Sequence, residues 1–482
     1  MTSKACNLSN AVRFRQRQVV TARSKNPDEL TDNERFVVDE IRKYAGLDVL
    51  SEGNGFLSNR VLYHVFQDGR NPDYYADGFS VQSAQQTIKR RIADWESWLS
   101  ALKSWKSDPS RFTGRPEMPG YFRKGGHETV FVTNQDCRLK TDPNGVSWAC
   151  FPYHKKTPLC VGRPEGRLKE AQIRPTNGRY EIVLVFDVEI PDVVPTDDPK
   201  RIVAIDLGVD NLMATTNNFG EPCFLYKGGI VKSENRFYNK RLAEIMTAET
   251  TKADCPKNRN GSPKFVPTEE SMSLTTRRNH LIKNFMRQVA VHFMSWCAEK
   301  RVDAVTCGTN AGWKRESNMG RRNNQNFVQI PFDYLKLQLR YRAEALGIAF
   351  VEQEESYTSK ASFLDGDFIP TYGKENGVKP TFSGRRRPTR YKGAYKKDGF
   401  RGLYVSKDGI VINSDLNGSA NVLRKAFPHA FENGTTPDFS NVIVVRNPVE
   451  EFVIANRIEQ RKNPRPALSK SKARRLKTKL VS

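Results

Sequence analysis

Two aspartates stand where an apolar strand gives way to small, turn-forming residues. Asp206 closes the run Ile202-Val203-Ala204-Ile205 and is followed by Leu207-Gly208. A carboxylate facing a packed sheet is costly to desolvate unless it is paired or holds a cation. Gly208 allows a sharp turn and leaves room for a metal or a phosphate. Asp415 lies in Val411-Ile412-Asn413-Ser414-Asp415-Leu416-Asn417-Gly418-Ser419-Ala420-Asn421, where an apolar strand ends and small residues let a helix pack closely on a sheet. Each has a plainer reading when taken alone: Asp206 as the cap of a turn, Asp415 as the cap of the following helix. Taken together, they suit a pair of divalent cations, one activating water and the other stabilising a leaving 3′ oxygen. Oxygen ligands with retained waters suit Mg²⁺ or Mn²⁺, two per site.

The order of elements supports that pairing. From residue 201 the sequence predicts three strands, RIVAIDLG, NLMATTN and EPCFLYKGG. Helices over roughly 231–250 and 268–300 follow, then a strand DAVTCGTN, a helix over roughly 332–346 and a strand GIAFVEQEE. The strand GIVINSDLN and a helix beginning near Asn417 end the series. Three consecutive strands followed by alternating helices and strands are the order of the RNase H fold, an α/β architecture. Such a fold needs a third acid between the two aspartates. Its usual place, Val305-Thr306-Cys307-Gly308, offers Gly308 instead. The next strand ends in Glu352-Gln353-Glu354-Glu355. Glu355 is the first choice for the third ligand, Glu354 the reserve, and Glu352 the weakest of the three. A merely solvated acidic strand end competes with all of them.

The whole chain favours an anionic partner. Among 482 residues, 78 Lys and Arg stand against 54 Asp and Glu, a formal charge of +24. Nucleic acid is the usual neutraliser of so basic a protein. No apolar run approaches the ~18 residues of a membrane span, and the polar amino terminus lacks the apolar core of a signal peptide. The eight cysteines form no CxxC pair, which argues against a zinc ribbon or disulfide framework. The six histidines show no metal-binding spacing. A cytoplasmic, prokaryotic, nucleoid-associated protein is expected.

The front half reads differently. The first ~115 residues are expected to be helical, with a capping box at Thr31 and Glu34. A longer helix carries Ile88, Ile92, Trp95, Trp98, Leu99, Leu102 and Trp105 on one stripe, read first as core and second as a stacking surface. Pro109, Gly114, Pro116, Pro119 and Gly120 mark a boundary, and 121–192 alternates in short β-like runs. The basic segment 446–482 is expected to be disordered or to order on nucleic acid.

Several long segments make the chain resemble the TnpB family of transposon-encoded, RNA-guided nucleases and the compact type V CRISPR effectors related to it. They are AIDLGVDNLMATT, KGGIVK, NAGWKRESNMGRRNNQNFVQIPFDYLKLQLRYRAEALGI, ESYTSKASFLD, and RGLY with INSDLNGSANVLRK. The resemblance is dense over about 200–445 and fainter in CNLSNAVRFRQRQ and GRPEMPGYFRK. It implies an α/β RuvC-like (RNase H fold) nuclease domain over 199–445, preceded by a β-rich wedge domain over 1–15 and 116–198. A helical recognition lobe would occupy 16–115. The family's active-site acids carry over onto Asp206 and Asp415. A subgroup with the ESYTSK segment supplies the remaining acid from there, which is Glu355.

The resemblance also implies partners, a guide RNA and double-stranded target DNA; a monomer is expected rather than a dimer. Many relatives carry a four-cysteine zinc ribbon before the last motif, and residues 361–414 contain no cysteine, so no zinc is expected. In its place an insertion over about 361–404 is dense in Arg, Lys and Tyr. Arg385, Arg386, Arg387, Arg390, Lys392, Lys396 and Lys397 could grip phosphates, and Tyr391 or Tyr395 could stack on a base. A solvated basic loop is the plainer alternative. Lys314, Arg315, Arg321, Arg322 and Asn324 would suit backbone and guide-RNA contacts, or simply form a capped loop. The alternative function is an RNA-guided DNA-binding protein, repressor-like, with an impaired RuvC site. A guide-independent junction nuclease is the second rival, and the large basic front half argues against it.

Overall fold

The computed structural model describes residues 1–449 apart from 52, 54, 153–155, 190–197, 310–328, 372–379, 387–389, 392–393 and 396–401. The chain divides into two compact units, Met1–Glu189 and Ile190–Ser482. The expected contacts Lys314, Arg315, Arg321, Arg322, Asn324, Arg387, Lys392, Lys396 and Lys397 lie outside the described residues, as does the basic tail from residue 450 onward.

The first unit opens with four helices: α1 (Thr2–Ala22), α2 (Asp32–Ala45), α3 (Asn59–Asp68) and α4 (Val81–Ser107). Their starts follow capping chemistry. The Thr31 hydroxyl accepts from the Glu34 amide while the Glu34 carboxylate accepts from the Thr31 amide, and Ser58 and Ser80 cap α3 and α4. The chain leaves α2 through Gly46 at φ +63°, a left-handed position that favours glycine. Along the α4 stripe Ile88, Ile92 and Trp95 are buried, whereas Leu99 is exposed. Trp98 reaches the Pro116 carbonyl through its indole N–H. The lower half of the stripe is therefore core and the upper half is not.

Six strands follow: β1 (Val130–Thr133), β2 (Arg138–Thr141), β3 (Ser147–Cys150), β4 (Leu159–Gly162), β5 (Arg167–Thr176) and β6 (Arg179–Asp187). They form two three-stranded sheets, β1-β5-β6 and β2-β3-β4. The β5–β6 hairpin turns through Asn177 and Gly178, both at positive φ, as a two-residue turn that preserves strand twist requires. Helix and strand residues of this unit share one apolar core, in which Leu8, Ile41, Phe66 and Ile88 join Val130, Ala149 and Ala171. α1 runs unbroken through residues 15 and 16, so the expected boundary there falls inside a helix.

The second unit is built on a six-stranded sheet. Its strands are β7 (Ile202–Leu207), β8 (Asn211–Asn217), β9 (Pro222–Lys227), β10 (Ala304–Thr309), β11 (Ala349–Glu354) and, much later, Asp438–Val445. Counted from β7, the sheet runs third, second, first, fourth, fifth, with Asp438–Val445 added outside the third. β8 is antiparallel to both neighbours, while β7, β10 and β11 run parallel. The added strand pairs parallel with β9 and has no counterpart in the sequence reading. Helices α5 (Gly229–Thr250), α6 (Glu269–Glu299), α7 (Phe332–Ala345) and α8 (Ser414–Ala426) complete the unit.

Side chains alternate across a strand, and β7 uses both faces. Val203, Ile205 and Leu207 enter the core built with α6 and α7. Ile202 and Ala204 pack with Val422 and Leu423 of α8 on the other face, the face that parity assigns to Asp206.

The short strands are β12 (Arg385–Arg386), β13 (Arg390–Tyr391), β14 (Ala394–Tyr395), β15 (Leu403–Val405) and β16 (Val411–Asn413). β12, β15 and β16 form a small separate sheet, and Asp438–Val445 is β17. The expected strand before Asp415 is thus only three residues long and stands outside the main sheet. The helix begins at Ser414 rather than near Asn417.

Candidate active site

The approach of α8 to β7 explains how Asp206 is held. A Cβ on Gly418 would lie 2.4 Å from Asp206 Oδ2, so only a glycine there lets the helix sit over this carboxylate. Ser419 locks the crossing by donating to the Ala204 carbonyl at 2.9 Å. Asn417 and Asn421 tie the same helix to the 358–361 segment through the Ala361 and Thr358 carbonyls. These small and amide-bearing residues build a tight polar layer where an ordinary helix would present large apolar side chains.

Asp415 stands in the first turn of α8, but it is not the cap. The Asn413 side chain accepts from the Asp415 and Leu416 amides and performs that role. The Asp415 carboxylate is thereby left for other partners. Asn211 Nδ2 donates to its Oδ2 at 2.7 Å. Arg386 Nη2 lies 3.6 Å from its Oδ1, where Ser414 also approaches at 3.3 Å.

The three glutamates at the end of β11 part company. Glu352 faces Lys336 at 3.2 Å and also pairs with Arg340. Glu354 receives Lys425 Nζ at 2.6 Å and the Ser356 amide at 2.6 Å. Burial alone would raise Glu354, but these hydrogen bonds outweigh it and hold the carboxyl below its ordinary value. Glu355 follows a different course. Its Oε2 is buried and has no hydrogen-bond partner among the described residues. Burial first, and the charge of Glu354 second, push its carboxyl up to about 7, against the pull of Lys336 and Lys425.

Gly308 shows where that carboxylate goes. A Cβ on Gly308 would fall 2.6 Å from Glu355 Oε2. The glutamate therefore fills the space above β10 that a side chain at 308 would claim. The Glu355 amide bonds the Thr309 carbonyl at 3.1 Å, which extends the strand pairing by one step and turns this residue over its neighbour.

The three acids affect one another. Burial, then the negative charges of Glu355 and Asp415, raise the Asp206 carboxyl well above the ordinary range, while Arg386 works in the opposite direction. Among the described residues, no three His, Cys, Asp or Glu side chains are gathered closely enough to hold a metal ion as they stand. The donor set nevertheless fits a hard divalent cation: it is all oxygen, crowded with like charge, and contains an orphaned buried oxygen at Glu355. Asp206, Glu355 and Asp415 are the residues that would hold it.

Arg386, one of the residues expected from the sequence to touch nucleic acid, lies beside two of these acids. Arg385 is exposed, and of Arg390 only the backbone strand is described. Sequence reasoning missed Asn211 and Lys425 as partners of the acids. Asn211 lies within the AIDLGVDNLMATT segment, so it was in view without a role. Nothing in the sequence signalled Lys425, whose contact with Glu354 comes from a helix seventy-one positions away. Among the described residues no helix is long and apolar enough to cross a membrane.

Comparisons with known proteins bear out the TnpB resemblance. Residues 185–314 match the family model OrfB_IS605, described as a probable transposase. The TnpB-like protein ORF457 of Acidianus two-tailed virus is 24% identical over 372 residues, which span 71% of this chain and 72% of that protein. A solved Cas12f1–sgRNA–target DNA complex aligns at 12% identity and a TM-score of 0.45, over 86% of this chain and 82% of that one. Alicyclobacillus acidoterrestris C2c1 with single-guide RNA aligns at 9% identity and a TM-score of 0.29, over 85% and 65%. Both structural likenesses are remote.

Proposed function

We propose that this protein is an RNA-guided DNA endonuclease with one RuvC-type site. A guide RNA selects the target by base pairing while the protein reads a short flanking duplex motif. The observation that carries this reading is that Asp206, on the α8 face of the sheet, lies near enough to Glu355 and Asp415 for their charges to raise it, while Glu355 keeps a buried oxygen with no partner among the described residues. The strand order third, second, first, fourth, fifth, with an antiparallel second strand, supports an RNase H-type domain. The match to a probable-transposase model and the TnpB-like relative support the same class.

When bound, Mg²⁺ or Mn²⁺ would supply an activated water and stabilise the departing 3′ oxygen. The chain's own contribution is to set three carboxylates within reach of one another's charge and to leave one oxygen of Glu355 without a partner among the described residues. Lys425 and Ser356 occupy Glu354, which leaves Glu355 to serve. Hydrolysis would leave 5′-phosphate and 3′-hydroxyl ends. In this reading 16–115 is the recognition lobe, 1–15 with 116–198 the wedge, and the protein works as a cytoplasmic monomer on guide RNA and duplex DNA without zinc.

A second reading, an RNA-guided DNA binder with an impaired site, is favoured by the Arg386–Asp415 ion pair and the absence of a gathered ligand set among the described residues. Cleavage with cognate guide and Mg²⁺ separates the two. Asp206→Ala and Asp415→Ala are expected to reduce cutting to background while guided binding persists, and Glu355→Gln to do the same. Guided binding without cutting by the unaltered protein supports the binder. Normal cutting by Glu355→Gln alongside loss in Glu354→Gln moves the third acid by one residue.

A further inference from the structure

The Asn211 side chain is 5% exposed and lies between a base and an acid. Lys227 Nζ donates to Asn211 Oδ1 at 2.6 Å, and Asn211 Nδ2 donates to Asp415 Oδ2 at 2.7 Å. Asn211 and Lys227 are cross-strand partners at the end of the β8–β9 hairpin, beside a register shift between Asn211 and Met213. The hairpin end is braced independently of them. The Gly228 amide bonds the Asp210 carbonyl at 2.9 Å, and Lys232 pairs with Asp210. A Cβ on Gly228 would meet the Val209 carbonyl oxygen at 2.3 Å, so the strand leaves β9 in close contact with this loop.

The direction of the amide is chemically determined. A lysine ammonium has donors and no acceptor, so the oxygen of Asn211 must face Lys227. Its NH₂ must then face Asp415, which as a carboxylate accepts. Reversing the amide would set NH₂ against ammonium and oxygen against carboxylate. Lys227 thus fixes the rotamer of Asn211, and Asn211 fixes one oxygen of Asp415 while Oδ1 faces Ser414 and Arg386.

We propose that Lys227 and Asn211 form a positioning relay for Asp415, in which the charge of Lys227 orients the amide that holds this carboxylate ready to bind a divalent cation. The proposal rests on the metal-dependent nuclease reading. Partners of this kind, when lost, typically cost about 10–100-fold in metal affinity or activity.

The test is titration of the full chain with MnCl₂, following free Mn²⁺ by electron paramagnetic resonance, beside guided cleavage kinetics and thermal melting. Asn211→Ala and Lys227→Glu are expected to weaken Mn²⁺ binding about 10–100-fold and to lower kcat comparably, with little change in KM for DNA. Lys227→Glu is the sharper variant because a carboxylate there accepts from the amide and turns its oxygen towards Asp415. Lys227→Met, which removes the donor without adding an acceptor, stands in should that variant melt early, and its expected loss is smaller. Lys227→Arg restores a donor and is expected to recover Mn²⁺ affinity, which a purely structural role would not predict of charge alone. Asp415→Asn is the reference. If it loses Mn²⁺ binding while Asn211→Ala and the Lys227 variants bind and cut as the parent does, the relay is overturned and the nuclease reading stands. If the parent binds no Mn²⁺, or Asp415→Asn changes nothing, the metal reading fails and takes the relay with it.

Discussion

Glu34 in the first unit and Glu355 in the second are both acids set among packed elements, and they are treated in opposite ways. Glu34, 3% exposed, receives Lys25 Nζ on both oxygens at 2.8 Å and the Thr31 amide at 2.8 Å. The Lys25 hydrogen bonds first, and the Thr31 amide second, bring its carboxyl down to about 2. Glu355 keeps an oxygen with no partner among the described residues, and burial pushes it up to about 7. The first arrangement spends a carboxylate on holding a helix start to its surroundings. The second holds a carboxylate out of satisfied contacts, which costs stability and keeps it available for a ligand.

The largest expected effect comes from crowding that available carboxylate. Gly308→Ala places a methyl carbon 2.6 Å from Glu355 Oε2, and the mobile end of the glutamate must yield rather than the backbone. The fold is expected to survive, because the displaced atom is a side-chain terminus. A displacement of about 1 Å costs on the order of 10²-fold in rate. Guided cleavage rates beside melting curves check this. A Gly308→Ala protein that cuts at the parent rate removes Glu355 from the site. Gly418→Ala presses on Asp206 Oδ2 in the same way from the helix side, and the same loss is expected.

How much of this was visible in the sequence follows from what each feature depends on. The apolar run at 202–205 located Asp206 at the end of a buried strand, because hydrophobicity is a local property. The capping box at Thr31 and Glu34 was legible for the same reason. The cap of α8 was not, since Asn413 and Asp415 are both good cap residues and the choice between them is settled by tertiary contacts to Asp415. The separation of Glu354 from Glu355 was equally hidden, because it depends on Lys425 arriving from a distant helix. β17 escaped notice because its eight residues, half exposed, carry no alternation strong enough to mark a strand.

A smaller effect tests the satisfied acid. Glu34→Ala removes half of a capping box and strands Lys25, whose side chain is one-third exposed and can recover water. The expected loss is about 1–3 kcal/mol, below the full cost of breaking a wholly buried pair. Denaturant titration reads it. The pH dependence has a definite sign. The folded carboxyl titrates near 2 and the ordinary one near 4.5, so the stabilisation is present above about 4.5 and is lost as pH falls towards 2. The Ala variant should lose that slope.

The smallest expected effect runs the other way, and it is the clearest test of the contrast. Between pH 4.5 and about 7 the folded chain keeps a proton on Glu355 that the unfolded chain releases. The folded state therefore binds more protons, and its stability falls as pH rises through that window and levels off above it. Glu355→Gln has nothing to ionise, so its melting temperature should exceed the parent's by an amount that grows up to pH 7, on the order of 1–3 °C without added metal. Added Mn²⁺ should erase the difference at neutral pH, since a cation that binds only the folded form stabilises the parent by mass action and finds one ligand fewer in the variant. Parallel melting curves from pH 5 to 8 with no divergence would mean that Glu355 is as well satisfied as Glu34, and the distinction between the two acids would collapse.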